Sequence, residues 1–114
     1  VWLKSSGVTD EARQVLSQRV LARRGDAFEA AELLTLIGRD DDRALTDAFF
    51  DIVKTTLTKP GIARWMQAPF EVLARRVDPA LTVPAVTGSP DADKAMREWF
   101  AKAEARWKAV RAAR

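Results

Sequence analysis

The sequence has no cysteine, no histidine and no tyrosine. Without cysteine there is no disulfide framework and no thiolate nucleophile, and without histidine there is neither an imidazole base nor an imidazole metal ligand. Zinc centres built on thiolate or imidazole are therefore excluded, as are Ser-His-Asp and Cys-His catalysis. Glycine and proline number five each. The glycines are isolated, so nothing resembles a phosphate-cradling loop. No apolar run approaches the ~18–20 residues of a membrane span. The opening Val1-Trp2-Leu3-Lys4-Ser5-Ser6-Gly7 lacks the charged start and apolar stretch of a signal peptide, so a cytoplasmic location is the expectation. A chain that does not begin with Met fits a processed product, an excised domain or an alternative start. Enrichment in Ala and Arg suggests a GC-rich bacterial genome.

What is present is ordinary for a globular protein: 114 residues, 47% of them hydrophobic and 31% charged, which argues against disorder along the whole chain. The length allows one domain of common size. Net charge is +3, but it is unevenly placed. Residues 1–60 carry nine basic and ten acidic side chains, whereas residues 61–114 carry ten and six. The last fourteen residues alone hold five cations and one anion. A basic segment of this kind attracts phosphate, anionic lipid or an acidic protein.

Apolar spacing is helical throughout, with no sustained alternation, so the expected fold is all-α: an irregular bundle of four or five helices. Residues 1–8 form an N-terminal extension, 9–77 a helical body, 78–89 an extended Pro-containing connector and 90–113 a long C-terminal helix. Thr9 caps the first helix, with Asp10 and Glu11 in its first turn; Arg23, Arg24 and Gly25 stop it. Asp26 and Glu29 have capping-box spacing and open a second helix. Its residues Phe28, Ala31, Leu33, Leu34, Leu36 and Ile37 are apolar nearly all round, which predicts burial on more than one side. Leu45, Phe49, Ile52, Val53 and Leu57 mark a third, amphipathic helix that ends at Lys59-Pro60-Gly61. A short turn follows over residues 62–67. Pro69 fits the first position of a fourth helix. In the connector, Leu81, Val83 and Val86 are placed to lie along the body. Ser89-Pro90-Asp91 is the strongest helix start in the chain. Met96, Phe100, Ala103, Trp107 and Val110 then form a seam flanked by Trp99. The expected core comprises Val15, Leu16, Val20, Phe28, Leu33, Leu34, Ile37, Leu45, Phe49, Ile52, Val53, Leu57, Leu73, Trp99, Phe100 and Trp107.

Three constellations bear on function. Asp40, Asp41, Asp42, Asp47 and Asp51 superficially resemble a hard-cation site, but they lack calcium-loop spacing, and acids at a helix start are explained by the helix dipole. No metal or other cofactor is expected, and no small-molecule substrate. Ser5, Ser6, Ser17 and Ser89 lie in no nucleophile motif, so no catalytic residue is assigned. Trp65, Met66 and Phe70, together with Trp99 and Trp107, are candidate partner-binding residues, because Trp contributes large contact area at low entropic cost. A plug for one end of the bundle is the plainer account of the first three. The expected function is a non-enzymatic protein-interaction or oligomerisation module that presents a helix face or apolar groove to a protein partner or to a second copy. The alternative is a nucleic-acid-binding accessory domain using Lys102, Arg106, Lys108, Arg111 and Arg114 on the basic C-terminal helix.

Overall fold

The computed structural model describes residues 9–38, 42–84 and 90–112. Five α-helices, α1 (Asp10–Leu21), α2 (Ala27–Ile37), α3 (Arg43–Thr56), α4 (Gln67–Val77) and α5 (Pro90–Ala112), are joined with one 3-10 turn, Ile62–Trp65, between α3 and α4. Among the described residues there is no strand, and the fold is an irregular helical bundle with a long last helix. The N-terminal extension, Asp40, Asp41, Val86, the Ser89 cap and Arg114 lie outside the described residues.

The helix starts follow from their caps. Thr9 Oγ1 accepts the amide of Ala12 at 3.1 Å, Asp26 Oδ1 that of Glu29 at 2.9 Å, and Asp42 Oδ1 that of Leu45 at 3.1 Å. Each satisfies an amide that the helix leaves without a partner. The box expected at α2 is half built: the Glu29 carboxylate turns away to Arg19, whose Nη2 lies 2.7 Å from it. Instead, the amide of Ala27 donates to Thr56 Oγ1 of α3 at 3.1 Å. Pro69 is the third residue of α4 and not the first. Any of the first four positions lacks an intrahelical acceptor for its amide, so proline is tolerated there too. The stop of α1 also differs from expectation. Arg23, with φ 57°, takes the left-handed position, and the amides of Arg23 and Arg24 bond to Val20 and Arg19 carbonyls, which closes the helix as glycine usually does. Its guanidinium compensates for the strained backbone by donating to Asp51 Oδ2 at 2.8 Å and to the Leu21 carbonyl at 2.7 Å.

The core runs between α2, α3, α4 and α5. Phe49, Phe70, Leu34, Ile37, Leu45, Met66, Leu73 and Met96 are fully enclosed. Along α5, Met96, Phe100, Ala103 and Trp107 face inward as the seam predicts, with Trp99 beside them. Five aromatic rings form a continuous ladder across the bundle. Trp107 stacks on Phe50 at 6.2 Å, Phe50 meets Phe100 at 5.7 Å, Phe100 meets Phe70 at 6.0 Å, and Phe70 stacks on Trp99 at 5.0 Å. Such offset and tilted pairs add about 0.5–1.5 kcal/mol each beyond the area they bury. Leu81 and Val83 of the connector pack against this core.

Two expected core residues lie outside it. Val15 is 68% exposed and Phe28 38%. On α1 the inward line is carried by Val20 with Leu16 partly buried, and Val15, a neighbour of Leu16, points about 100° away from it. On α2 the inward line is Ala27, Ala30, Ala31, Leu34 and Ile37. Its three alanines allow close approach of the neighbouring helices, and that approach leaves Phe28 and Leu36 on the outer side. The second helix is thus buried on one face only.

Candidate functional site

The residues singled out around the bundle end separate sharply. Met66, Phe70, Trp99 and Trp107 are buried within the chain, and Trp65 alone is displayed, 61% exposed. The plainer account holds for Met66 and Phe70 but not for Trp65, and Trp99 and Trp107 are buried along α5. Trp65 ends the 3-10 turn, and the Arg64 guanidinium carbon lies 5.7 Å from its ring centroid, within cation–π range.

A polar lock on α5 holds that turn. Arg97 donates from Nη1 to the Leu57 carbonyl at 2.6 Å and from Nη2 to the Lys59 carbonyl at 3.0 Å, taking up backbone acceptors at the end of α3. Its Nε pairs with Asp93 Oδ2 at 2.9 Å. Asp93 Oδ1 in turn accepts the amide of Ala63 at 3.1 Å, with the Arg64 amide also contributing. The hydrogen bond from Arg97 above all, with its charge and those two amides, holds the Asp93 carboxyl below its ordinary value against the opposing effect of burial. One i,i+4 pair on α5 thereby fixes the exit of α3 and the entry of the 3-10 turn.

The three described arginines of α5, though not its lysines, are engaged within the chain. Arg106 pairs with Asp78 at 3.3 Å and Arg111 with Asp47 at 3.1 Å. Asp47 Oδ1 also accepts the Trp107 indole N–H at 2.7 Å. Lys102 and Lys108 make no ion pair with a described residue. A cleft of about 390 Å³ between α3 and α5 has Phe50 and Trp107 at its base and is rimmed by Arg23, Asp47, Asp51, Lys54, Glu104, Lys108 and Arg111. Its three carboxylates each face a cation: Asp47 with Arg111, Asp51 with Arg23, and Glu104 with Lys54 at 2.7 Å. The hydrogen bond and charge of Glu104 raise the Lys54 ammonium above its ordinary value. Asp47 and Asp51, read in sequence as neighbours on one face, are thus partners for other elements. Among the described residues no group of three or more acids is placed to hold a metal ion, and no helix is long and apolar enough to cross a membrane.

What remains is the outer face of the α1–α2 pair. Two cross-links set the register of these antiparallel helices: Arg19 with Glu29, and Arg13 Nε with the Ile37 carbonyl at 2.9 Å. Residue 15 therefore stands level with residues 33–35. On α2, Glu29, Leu33 and Leu36 follow one another at i, i+4 and i+7 and share a stripe. On α1, Val15 precedes Arg19 by one turn. Val15 (68% exposed), the half-buried Leu33 and Leu36 (49% exposed) consequently lie within about a turn of one another on the outer face that carries the Arg19–Glu29 pair. Phe28 lies two turns from Leu36, about 12 Å along the axis. Sequence reading missed this surface because it assigned Val15 and Phe28 to the core and enclosed Leu36. The available signal was the run of small residues at 27, 30 and 31, which marks the opposite face as the tightly packed one.

No known protein family matches the chain, and no match is found among curated proteins or solved structures.

Proposed function

We propose that the chain is a non-enzymatic interaction module that binds a protein through the outer face of α1 and α2. The observation that carries the reading is the exposure of Val15 and Leu36 on the same outer face of a bundle whose other large aliphatic side chains, among the described residues, are buried or partly buried. Exposed apolar side chains are individually common, but adjacent ones on two locked helices form a surface whose burial is favourable at roughly 25 cal/mol per Å². The locked register keeps that surface preorganised, which reduces the ordering cost of binding.

The reading of α5 as a nucleic-acid surface has weaker support, because Arg106 and Arg111 hold the bundle together and Glu104 lies among the cations.

The test is site-specific photocrosslinking in the cell that makes the protein, with a benzoyl-phenylalanine at Leu36 and, as the comparison, at Lys102. The reading expects one dominant adduct from Leu36. It also expects Leu36→Glu to weaken binding of the purified adduct partner at least tenfold with the helical circular dichroism unchanged. Equal, diffuse labelling from both positions would refute it.

A further inference from the structure

We infer that the partner on this face is a second copy of the same chain, packed about a twofold axis that passes beside Val15. This rests on the reading of the α1–α2 face as a binding surface and specifies what it binds. Glu11, Val15 and Arg19 stand at i, i+4 and i+8 on α1, one acid, one exposed aliphatic and one cation on successive turns. That order is its own complement. When two such helices meet antiparallel, Val15 meets Val15 and each Glu11 lies opposite the other copy's Arg19, the arrangement an isologous contact requires.

The hydrogen-bonding groups are available for it. Arg19 directs Nε and Nη2 to the same oxygen of Glu29, at 2.8 and 2.7 Å, which leaves both Nη1 protons for another acceptor. Glu11 is exposed and makes no ion pair or hydrogen bond with a described residue, so its carboxylate is free to be that acceptor. Leu33 and Leu36 flank the axis and extend the apolar strip on each copy. A partner with an unrelated surface would need a matching acid, aliphatic and cation at the same spacing; a second copy has them by symmetry. The contact is small, two helices a side, which places it among weak, concentration-dependent dimers.

The sequence has no cysteine, so an introduced thiol reports on its own encounters alone. Val15→Cys is compared with Lys102→Cys under mild oxidation, beside sedimentation equilibrium of the wild-type chain and of Val15→Glu. Thiols beside a twofold axis meet the Cα separation of about 4.4–6.8 Å that a disulfide needs. The expected result is a species of twice 12.7 kDa in the wild type, its loss in Val15→Glu, and disulfide formation at least tenfold faster for Val15→Cys than for Lys102→Cys. Glu11→Arg, which sets cation against cation, is expected to weaken the dimer at least as much as raised salt does. A chain that stays monomeric up to about 1 mM, beyond which association is weaker than 4 kcal/mol, with equal crosslinking of the two thiols, overturns the inference. If the Leu36 photoadduct is then a different protein, the interaction reading stands and only the second copy falls. If Leu36 gives no specific adduct, the interaction reading falls as well.

Discussion

Replacing Arg97 with alanine removes the α5 side chain that caps the backbone carbonyls at the exit of α3. Three contacts disappear: the Leu57 carbonyl at 2.6 Å, the Lys59 carbonyl at 3.0 Å and Asp93 at 2.9 Å. Hydrogen bonds to a charged group contribute about 1.5–3 kcal/mol each. The Arg97 side chain is 37% exposed, so water replaces part of what is lost and the low end of that range applies to the two carbonyl bonds. The Asp93 pair adds little, since surface ion pairs contribute roughly 0–1 kcal/mol and Asp93 keeps its backbone donors. The expected destabilisation is therefore about 3–4 kcal/mol, a drop in Tm on the order of 10–15 °C for a chain of this size. Urea unfolding followed by tryptophan fluorescence measures it, with an unchanged m value showing that both states keep their compactness. Arg97→Lys is expected to recover less than half, because an ammonium does not reproduce the planar fork that reaches two carbonyls and a carboxylate at once. A loss below about 0.5 kcal/mol, the level of an ordinary surface change, would refute the assignment of Arg97 as the lock.

The same lock makes stability depend on pH. Because the folded Asp93 carboxyl lies below its unfolded value, its contribution is fully present above the unfolded carboxylate pKa of about 3.9 and is lost as pH falls through the depressed folded value. Asp93→Asn should accordingly be less stable than wild type at neutral pH, with the gap closing in strong acid, as read by urea midpoints across an acid series. Trp107→Phe and Trp99→Phe separate two superficially similar indoles. The first loses a charge-assisted bond to Asp47 and should cost about 1.5–3 kcal/mol; the second loses no hydrogen bond, since Trp99 Nε1 is buried without one, and should cost less in the same assay. Gly25→Ala should destabilise by about 1–2 kcal/mol, because φ is +81° there and a Cβ would collide with Glu29 Oε2, displacing the carboxylate from Arg19. A melting temperature within 1 °C of wild type, about 0.2 kcal/mol, would count against that account.

Much of the architecture follows from local chemistry. The caps at Thr9, Asp26 and Asp42, the breaks around Gly38 and Pro60, and the seam Met96–Phe100–Ala103–Trp107 each depend on residues within a turn or two, which is why their spacing is legible. Phe50 shows where that legibility ends. It adjoins Phe49 and falls off the expected stripe of α3, yet it is buried in the middle of the aromatic ladder, because α3 is covered on two sides. The buried Arg76 is a similar case. It reaches the Gly38 carbonyl at 2.7 Å, 38 residues away in sequence, and Thr46 Oγ1 at 3.3 Å, 30 residues away, partnerships that no local spacing announces.

The candidate surface divides in the same way. That α1 carries Glu11, Val15 and Arg19 on successive turns is a property of the helical repeat and needs no tertiary information. Whether Val15 faces inward or outward is not, since Leu16 and Val15 compete for one core position and only the seating of α1 against α2 resolves it. The amino-acid order determined the helices, their ends and the long seam of α5, because those are governed by contacts within a few residues. The outward turn of Val15 and Leu36, the sinking of four aromatic or thioether side chains into the bundle, and the locking of residues 57–65 by Asp93 and Arg97 were decided by packing, because each depends on which helix arrives on which side.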